Sequence, residues 1–304
     1  MRTEAPYEGL RPLLFSIAYR MVSSVAEAED IVQEAFLRIH RAEAEGTTVE
    51  SPKAYLSAVT TRLSIDHLKS ARVRREQYVG QWLPEPLLTY DASAHAETAD
   101  SLSMAFLVLL ERLTPVERAV FLLREVFDYG YDEIARIVDR TEDNCRQLYV
   151  RARRHVDEGR PRFEASRRQR DELVERFFEA AERGDLGALE ELLAADVVVY
   201  GDGGGKAPSW PKPIYGRERV AKLIIGTLKQ ARDFGIKMRG VHINGQPGVM
   251  FIDDDDRVGA VMSVDVADGL AQTIRGVTNP DKLQHLGQVL DAREVLRRSR
   301  EQRS

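Results

Sequence analysis

Cysteine is nearly absent from this chain of 304 residues: Cys145 is the single example. One cysteine excludes an internal disulfide framework and a Cys-rich zinc site. Long apolar runs are missing too. The longest, near Met104 to Leu110, is far short of the roughly 20 residues a membrane span needs. The start, MRTEAPYEGL, lacks a basic stretch followed by an apolar one, so no signal peptide is expected. Lys and Arg vanish between Tyr78 and Asp100, and no internal repeat or low-complexity segment is present. Nothing points to a metal or cofactor. With 43% apolar and 31% charged residues, the expectation is a cytoplasmic globular protein of two or three compact domains.

What the chain does have is basic charge in two concentrated places, against a formal net charge of −5. Arg62 to Glu76 carries five Arg or Lys against two acids, and Arg146 to Arg162 six Arg against two acids. Dense cations on an acidic chain point to local polyanion sites. The stretch Ser23 to Glu50 is the opposite, with seven acids against two Arg.

Residues 1–80 read as a first domain, all helix from residue 10 onward. Ser24-Val-Ala-Glu27 is a capping-box pattern ahead of a 3.6-residue apolar period through Ile31, Val32, Ala35, Phe36 and Ile39. Ser51-Pro52 starts another helix through about Arg75. Residues 81–100, with Pro84, Pro86 and a lost apolar period, read as a linker. Residues 101–165 return to helix. Thr114-Pro115-Val116-Glu117 joins an N-cap, a proline at N1 and a glutamate at N3. Asp132 to Val138, a turn, and Thr141 capping a long helix make a helix-turn-helix.

On that last helix Cys145, Leu148, Tyr149, Ala152 and Val156 form one apolar stripe, with Cys145 read as core filler. Asp143, Gln147 and Arg154 then face out, flanked by Arg146 and Arg153 on one side and Asn144 and Arg151 on the other. A helix seated in a major groove needs this division between scaffold face and base-reading face.

Residues 166–304 differ in kind. A helix over Asp171 to Leu193 is expected, then strands at Val197 to Tyr200, Ile236 to Val241, Val249 to Ile252, Val258 to Val266 and Leu270 to Val277. These segments are rich in Val, Ile and Met and bounded by Gly, Asn and Asp. The order argues for an α+β domain. The tail from Gly287 to Ser304 reads as an Arg-rich helix.

The segments DIVQEAFLRIH (Asp30 to His40), SPKAYLSAVTTRLSIDHLKSARVRRE (Ser51 to Glu76) and Leu113 to Val156 together resemble the two domains of extracytoplasmic-function RNA polymerase sigma factors. The resemblance covers about the first 160 residues. It implies that Asp30, Gln33, Glu34 and Leu37 bind core RNA polymerase, which suits the local acidic charge. It implies that Arg62, Lys69, Arg72, Arg74 and Arg75 contact the minus-ten promoter element, where opening needs phosphate contacts and a pocket for an unstacked base. It gives minus-thirty-five DNA to Asn144, Arg146, Gln147, Arg151 and Arg154. For the acidic linker, a passage through a polymerase channel and a plain solvated tether both stay open.

Arg170 to Lys206 resembles the start of SnoaL-like domains, cone-shaped relatives of nuclear transport factor 2. The expected architecture is thus two all-α sigma domains, the second a helix-turn-helix, plus a C-terminal α+β SnoaL-like cone. A sigma subgroup carries such an extension with three marker motifs. They match Trp82-Leu-Pro-Glu-Pro86, Asp202-Gly203-Gly204-Gly205-Lys206 and Asn279-Pro280-Asp281-Lys282-Leu283. The resemblance implies regulation in cis through these residues, by docking of the linker on the extension. An unidentified small ligand in the cone is a further expectation.

Other chemistries fit less well. The Gly201 to Lys206 run fails the P-loop pattern, with Tyr200 and Ala207 at two required positions. His242, Asp202 and Asp265 are the available acid-base candidates for an enzyme of the SnoaL cyclase or isomerase type fused to a DNA-binding domain, but no spacing selects a pair. Asp253 to Asp256 lacks the alternation and glycine of a calcium loop. A helix-turn-helix regulator acting without polymerase would need neither the acidic helix nor the first basic segment.

Overall fold

The computed structural model describes residues 7–76, 78–89, 100–158 and 166–291, the side chains of 71–76 and 100 excepted. The chain forms two compact units: Met1–Gln77 with Phe106–Arg160, and Tyr78–Ala105 with Pro161–Ser304.

The first unit is helical. Helices α1 (Arg11–Val22), α2 (Val25–Ala44) and α3 (Pro52–Glu76) pack on one another. Ser24 caps α2 by accepting from the Glu27 amide at 3.3 Å, the partner expected of an N-cap serine. After α4 (Met104–Leu110) come α5 (Pro115–Glu125), α6 (Tyr131–Val138) and α7 (Glu142–Asp157). The Thr114–Glu117 capping box is complete, with bonds of 3.1 and 3.3 Å in the two directions. Asp139 turns the chain with φ of 54°, and Thr141 caps α7 through the Asn144 amide.

Buried cations tie the two helical groups together. Arg118 of α5 is 2% exposed. Its guanidinium donates to the carbonyls of Leu110 and Met21, at the C-termini of α4 and α1, and pairs with Glu111 at 2.9 Å. Carbonyls at a helix C-terminus lack intrahelical donors and carry partial negative charge, so they suit a cation. Burial pushes this guanidinium down to about 9, and it stays charged at neutral pH. Tyr129 adds a hydroxyl bond of 2.8 Å to Ser57 of α3.

The second unit contains the α+β domain. Helices α8 (Arg167–Arg183) and α9 (Leu186–Glu191) precede β1 (Leu193–Asp202), β2 (Ile214–Tyr215), α10 (Arg217–Asp233), β3 (Lys237–Ile243), β4 (Gln246–Ile252), β5 (Val258–Ala267) and β6 (Leu270–Val277). The sheet order is β2-β1-β6-β5-β4-β3, parallel only between β1 and β6. Phe177, Phe178, Ile224 and Leu228 from the helices meet Val197, Val199, Phe251, Val264 and Ile274 from the sheet in one core.

Three expectations change here. The helix expected over Asp171 to Leu193 is broken at Gly184, which has φ of 70°. Asp185 caps a new helix through Ala188, and Leu193 already belongs to β1. Helix α10 and the short β2 had no counterpart in the strand and helix assignments. Residues 287–291 are not helical, since Val289 bridges Val258 in parallel; the rest of the expected tail helix lies outside the described residues.

Candidate functional site

On α2, the spacing of Asp30, Gln33, Glu34 and Leu37 puts all four on one helical face. Asp30 and Gln33 are exposed, Glu34 is half-buried, and Leu37 is 50% exposed. The opposite face, Ile31, Val32, Ala35 and Ile39, is buried. Glu34 accepts from Arg38 at 2.8 Å, which holds its carboxyl below the usual range.

Helix α7 follows the expected division. Cys145, Leu148, Ala152 and Val156 are buried, whereas Arg146, Gln147, Arg151 and Arg154 are exposed and Asn144 half-buried. Burial pushes the Cys145 thiol up, which keeps it protonated. Arg146 pairs with Glu142 and Asp143 and lies 5.1 Å over the Tyr131 ring. Arg151 reaches Glu117 at 3.8 Å and Arg154 reaches Glu158 at 3.9 Å. Exposed pairs of this kind are worth about 0–1 kcal/mol, so these side chains exchange partners cheaply.

The first basic segment is arranged differently. Lys69 is exposed and pairs with Asp66 at 3.0 Å. Arg62 is exposed, yet its guanidinium donates to the carbonyls of Ile137 and Arg136 at 2.8 and 2.7 Å. These carbonyls end α6, so the same helix-terminus attraction that holds Arg118 occupies Arg62. The side chains of Arg72, Arg74 and Arg75 lie outside the described residues.

Within the second unit, the three marker motifs meet around one carboxylate. Asp202 is fully buried. One oxygen accepts from the Tyr78 hydroxyl at 2.5 Å and the Gly204 amide at 3.1 Å. The other accepts from the Leu83 amide at 2.8 Å and from Lys282 at 2.7 Å. Lys282 also donates to the Leu83 carbonyl and lies 4.3 Å over the Trp82 ring and 5.0 Å over that of Tyr78. Asn279 donates to the Tyr78 hydroxyl at 2.8 Å. Burial and the Asp202 carboxylate both push the Tyr78 phenol well up. A buried ion pair in which the lone pairs and protons are satisfied meets the condition for tolerating desolvation.

The glycines belong to the same geometry. Gly204 and Gly205 have φ of 58° and 70°, a region that favours glycine. A Cβ on Gly204 would lie 2.3 Å from the Asn279 amide nitrogen. Lys206 then pairs with Asp281 at 2.5 Å, joining the second motif to the third. Leu283 is buried, as are Pro84 and Pro86, and the Pro86 carbonyl lies 2.6 Å from His285 Nε2.

Further along, the linker adds to the sheet. Leu88 bridges Ile243 antiparallel at the outer edge of β3. The Leu87 carbonyl accepts from the Asn244 amide at 2.7 Å, and the Thr89 amide donates to His242 at 3.0 Å. Asn244, at φ of 54°, accepts from the Leu87 amide and donates to the Leu102 carbonyl. Tyr78, Leu87, Thr89, Asn244 and His285 were missed by motif reading. Backbone donors carry no residue signature, and only the Asn244-Gly245 turn left a mark in the sequence.

Each acid-base candidate has a partner. Asp202 is used as described, Asp265 pairs with Arg275, and His242 lies 3.0 Å from Asp171 and 3.3 Å from Arg167. Among the described residues no group of three or more His, Cys, Asp or Glu is arranged to hold a metal, and no helix is long and apolar enough to cross a membrane.

Comparison with known proteins finds three family matches in order along the chain. Residues 7–74 match Sigma-70 region 2, residues 103–156 Sigma-70 region 4, and residues 174–278 the SnoaL-like domain. The ECF RNA polymerase sigma factor SigJ of Mycobacterium tuberculosis is 36% identical over 293 residues, covering 91% of each chain. A crystal structure of that sigma factor superposes with a TM-score of 0.73 at 33% identity, covering 91% of this chain and 97% of the other. The probable ECF sigma factor SigI from the same species is 37% identical over 193 residues, 62% of this chain and 66% of its own. With both sigma regions in order and a SnoaL-like domain behind them, the chain belongs to the extracytoplasmic-function RNA polymerase sigma factors.

Proposed function

We propose that this sigma factor, acting in the cytoplasm with core RNA polymerase at promoter DNA, is regulated in cis by capture of its own interregion linker. The observation that carries this reading is the Asp202 site. Residues 78–105 join the two sigma regions in sequence, yet they belong to the compact unit of the C-terminal domain. Asp202 receives bonds from Tyr78 and Leu83 of that linker and from Lys282. A linker held by a buried charge is not free to follow another surface until that charge finds new partners. Losing one partner of a buried pair costs about 3–5 kcal/mol, enough to make the released form a minor population.

In this reading the α2 face of Asp30, Gln33, Glu34 and Leu37 docks on polymerase. Asn144, Arg146, Gln147, Arg151 and Arg154 read minus-thirty-five DNA, and Lys69 with Arg72, Arg74 and Arg75 serves the minus-ten element. Arg62 joins them only after leaving α6, so promoter engagement and the packing of α3 on α6 compete for one guanidinium. The C-terminal domain acts by holding the chain and not by catalysis, a view supported by the engagement of Asp202 and Asp265 in ion pairs.

Lys282→Met tests the capture. It removes the cation while keeping the stem that packs under Trp82. Expected are faster hydrogen exchange at Trp82 to Leu87 and a changed affinity for core polymerase, with run-off transcription changing in step. Unaltered exchange together with unaltered polymerase affinity would reject regulation through this site.

A further inference from the structure

The loop that carries the second marker motif has two working faces. Toward Tyr78 it presents the Asp202 carboxylate, held by the Gly204 amide. Its other side, from Lys206 to Trp210, forms one wall of a cavity of about 600 Å³ inside the α+β domain. Phe234, just after α10, with Phe251 and Met262 of the sheet, lines the body of the cavity. The segment after β6 is divided in the same way: Thr278 and Pro280 line the cavity, and Asn279 and Lys282 turn to the linker.

The two faces are mechanically joined. A Cβ on Gly201 would lie 2.9 Å from the Trp210 ring, and one on Gly276 3.4 Å from it. The indole therefore rests on bare backbone of β1 and β6. Thr278 ties the loop to the strand end, donating its hydroxyl to Pro208 at 2.9 Å and its amide to Asp202 at 2.8 Å. Any displacement of Trp210 or Lys206 is passed to the backbone that positions the Asp202 carboxylate. The volume falls in the range of about 300–1,000 Å³ typical of small-molecule sites. An aromatic and aliphatic body with the Lys206 cation on the motif wall and the Asp291 carboxylate on the segment after β6 defines the ligand chemistry, with the place for an anionic group at Lys206.

We infer that the cavity binds a small, mainly apolar molecule bearing one anionic group, and that its occupancy releases the linker. The anionic group competes with Asp281 for Lys206, the ion pair that joins the second motif to the third. The apolar body packs against Trp210, Phe234 and Phe251. This inference rests on the proposed linker capture and adds its trigger.

The probe is 1-anilinonaphthalene-8-sulfonate, an aromatic body with one sulfonate, titrated into the full-length protein by fluorescence. One saturable site is expected, weakened at least tenfold by Ala231→Trp, which fills the cavity from α10. Gln230→Trp, an exposed position on the same wall, gives the same result should the first variant fold poorly. Lys206→Met is expected to weaken this probe and spare the neutral N-phenyl-1-naphthylamine. Saturating probe is expected to speed hydrogen exchange at Trp82 to Leu87. Binding indifferent to both tryptophan variants, no saturable binding, or exchange unmoved by saturation would each overturn the inference. The Lys282→Met experiment contains no probe, so linker capture stands or falls separately.

Discussion

At the scale of single residues, Tyr78 does more than its place in the sequence indicates. Its hydroxyl accepts from Asn279 and donates to Asp202, so it links a linker residue to two segments of the domain. The phenol is pushed up by burial and by Asp202, whereas an unfolded tyrosine ionises near 10. The sign follows from linkage: the folded state holds the proton more tightly, so this contribution is complete below about pH 10 and fades as pH rises beyond it. Tyr78→Phe removes the hydroxyl and should cost about 1–3 kcal/mol, because Asp202 and Asn279 lose a buried partner. The stability gap between wild type and Tyr78→Phe in urea is expected to shrink between pH 8 and pH 11. A gap constant with pH would show that the phenol is not protected by this carboxylate in solution.

At the scale of elements, α3, α6 and α7 carry the contrast between packing and the proposed reading of DNA. Arg62 spends its donors on the last carbonyls of α6, whereas Arg146 and Arg154 of α7 pair with exposed acids about a turn away. Arg62→Ala should speed amide exchange at Asp139 to Thr141, where α6 ends and α7 is capped; unchanged exchange would mean that the contact contributes nothing in solution. On α7, Arg146 stands in the second turn and Arg154 in the last. A bidentate contact from Arg to guanine is worth about 1–3 kcal/mol of discrimination. Arg146→Ala is therefore expected to relax base preference at one promoter position, and Arg154→Ala to weaken binding evenly and lower its salt dependence. A promoter-mutation profile identical for wild type and both variants would remove α7 from the reading role.

For the whole molecule, the chain passes from one compact unit to the other and back before entering the C-terminal domain. The linker is therefore a structural part of the domain that follows it by some 60 residues. Ending the chain at Ser166 removes Asp202, Asn244, Asn279 and Lys282 at once, and leaves residues 78–89 without partners for their backbone groups. We expect the truncated protein to show rapid proteolysis between Tyr78 and Ala105, and core polymerase affinity altered in the same direction as in Lys282→Met. Truncation and Lys282→Met moving affinity in opposite directions would mean that the domain acts through something other than the linker.

The sequence by itself determined the order of the two sigma regions and the SnoaL-like domain, because capping boxes, apolar periods and motif spacing are local properties. Ser24, Thr114 and Thr141 cap helices as their neighbours dictate, and the apolar stripe of α7 is buried where the 3.6-residue period puts it. The three marker motifs were legible as strings, and their docking as an expectation. Their chemistry was not legible. Asp202 is one carboxylate among many until the fold buries it beside Lys282, and Tyr78 lay outside every motif. Arg62 looked like its basic neighbours, and only packing against the end of α6 set it apart. Helix-terminal carbonyls, buried charges and edge-strand amides acquire meaning from what lies across from them, and that is decided by tertiary contacts between residues up to 201 positions apart.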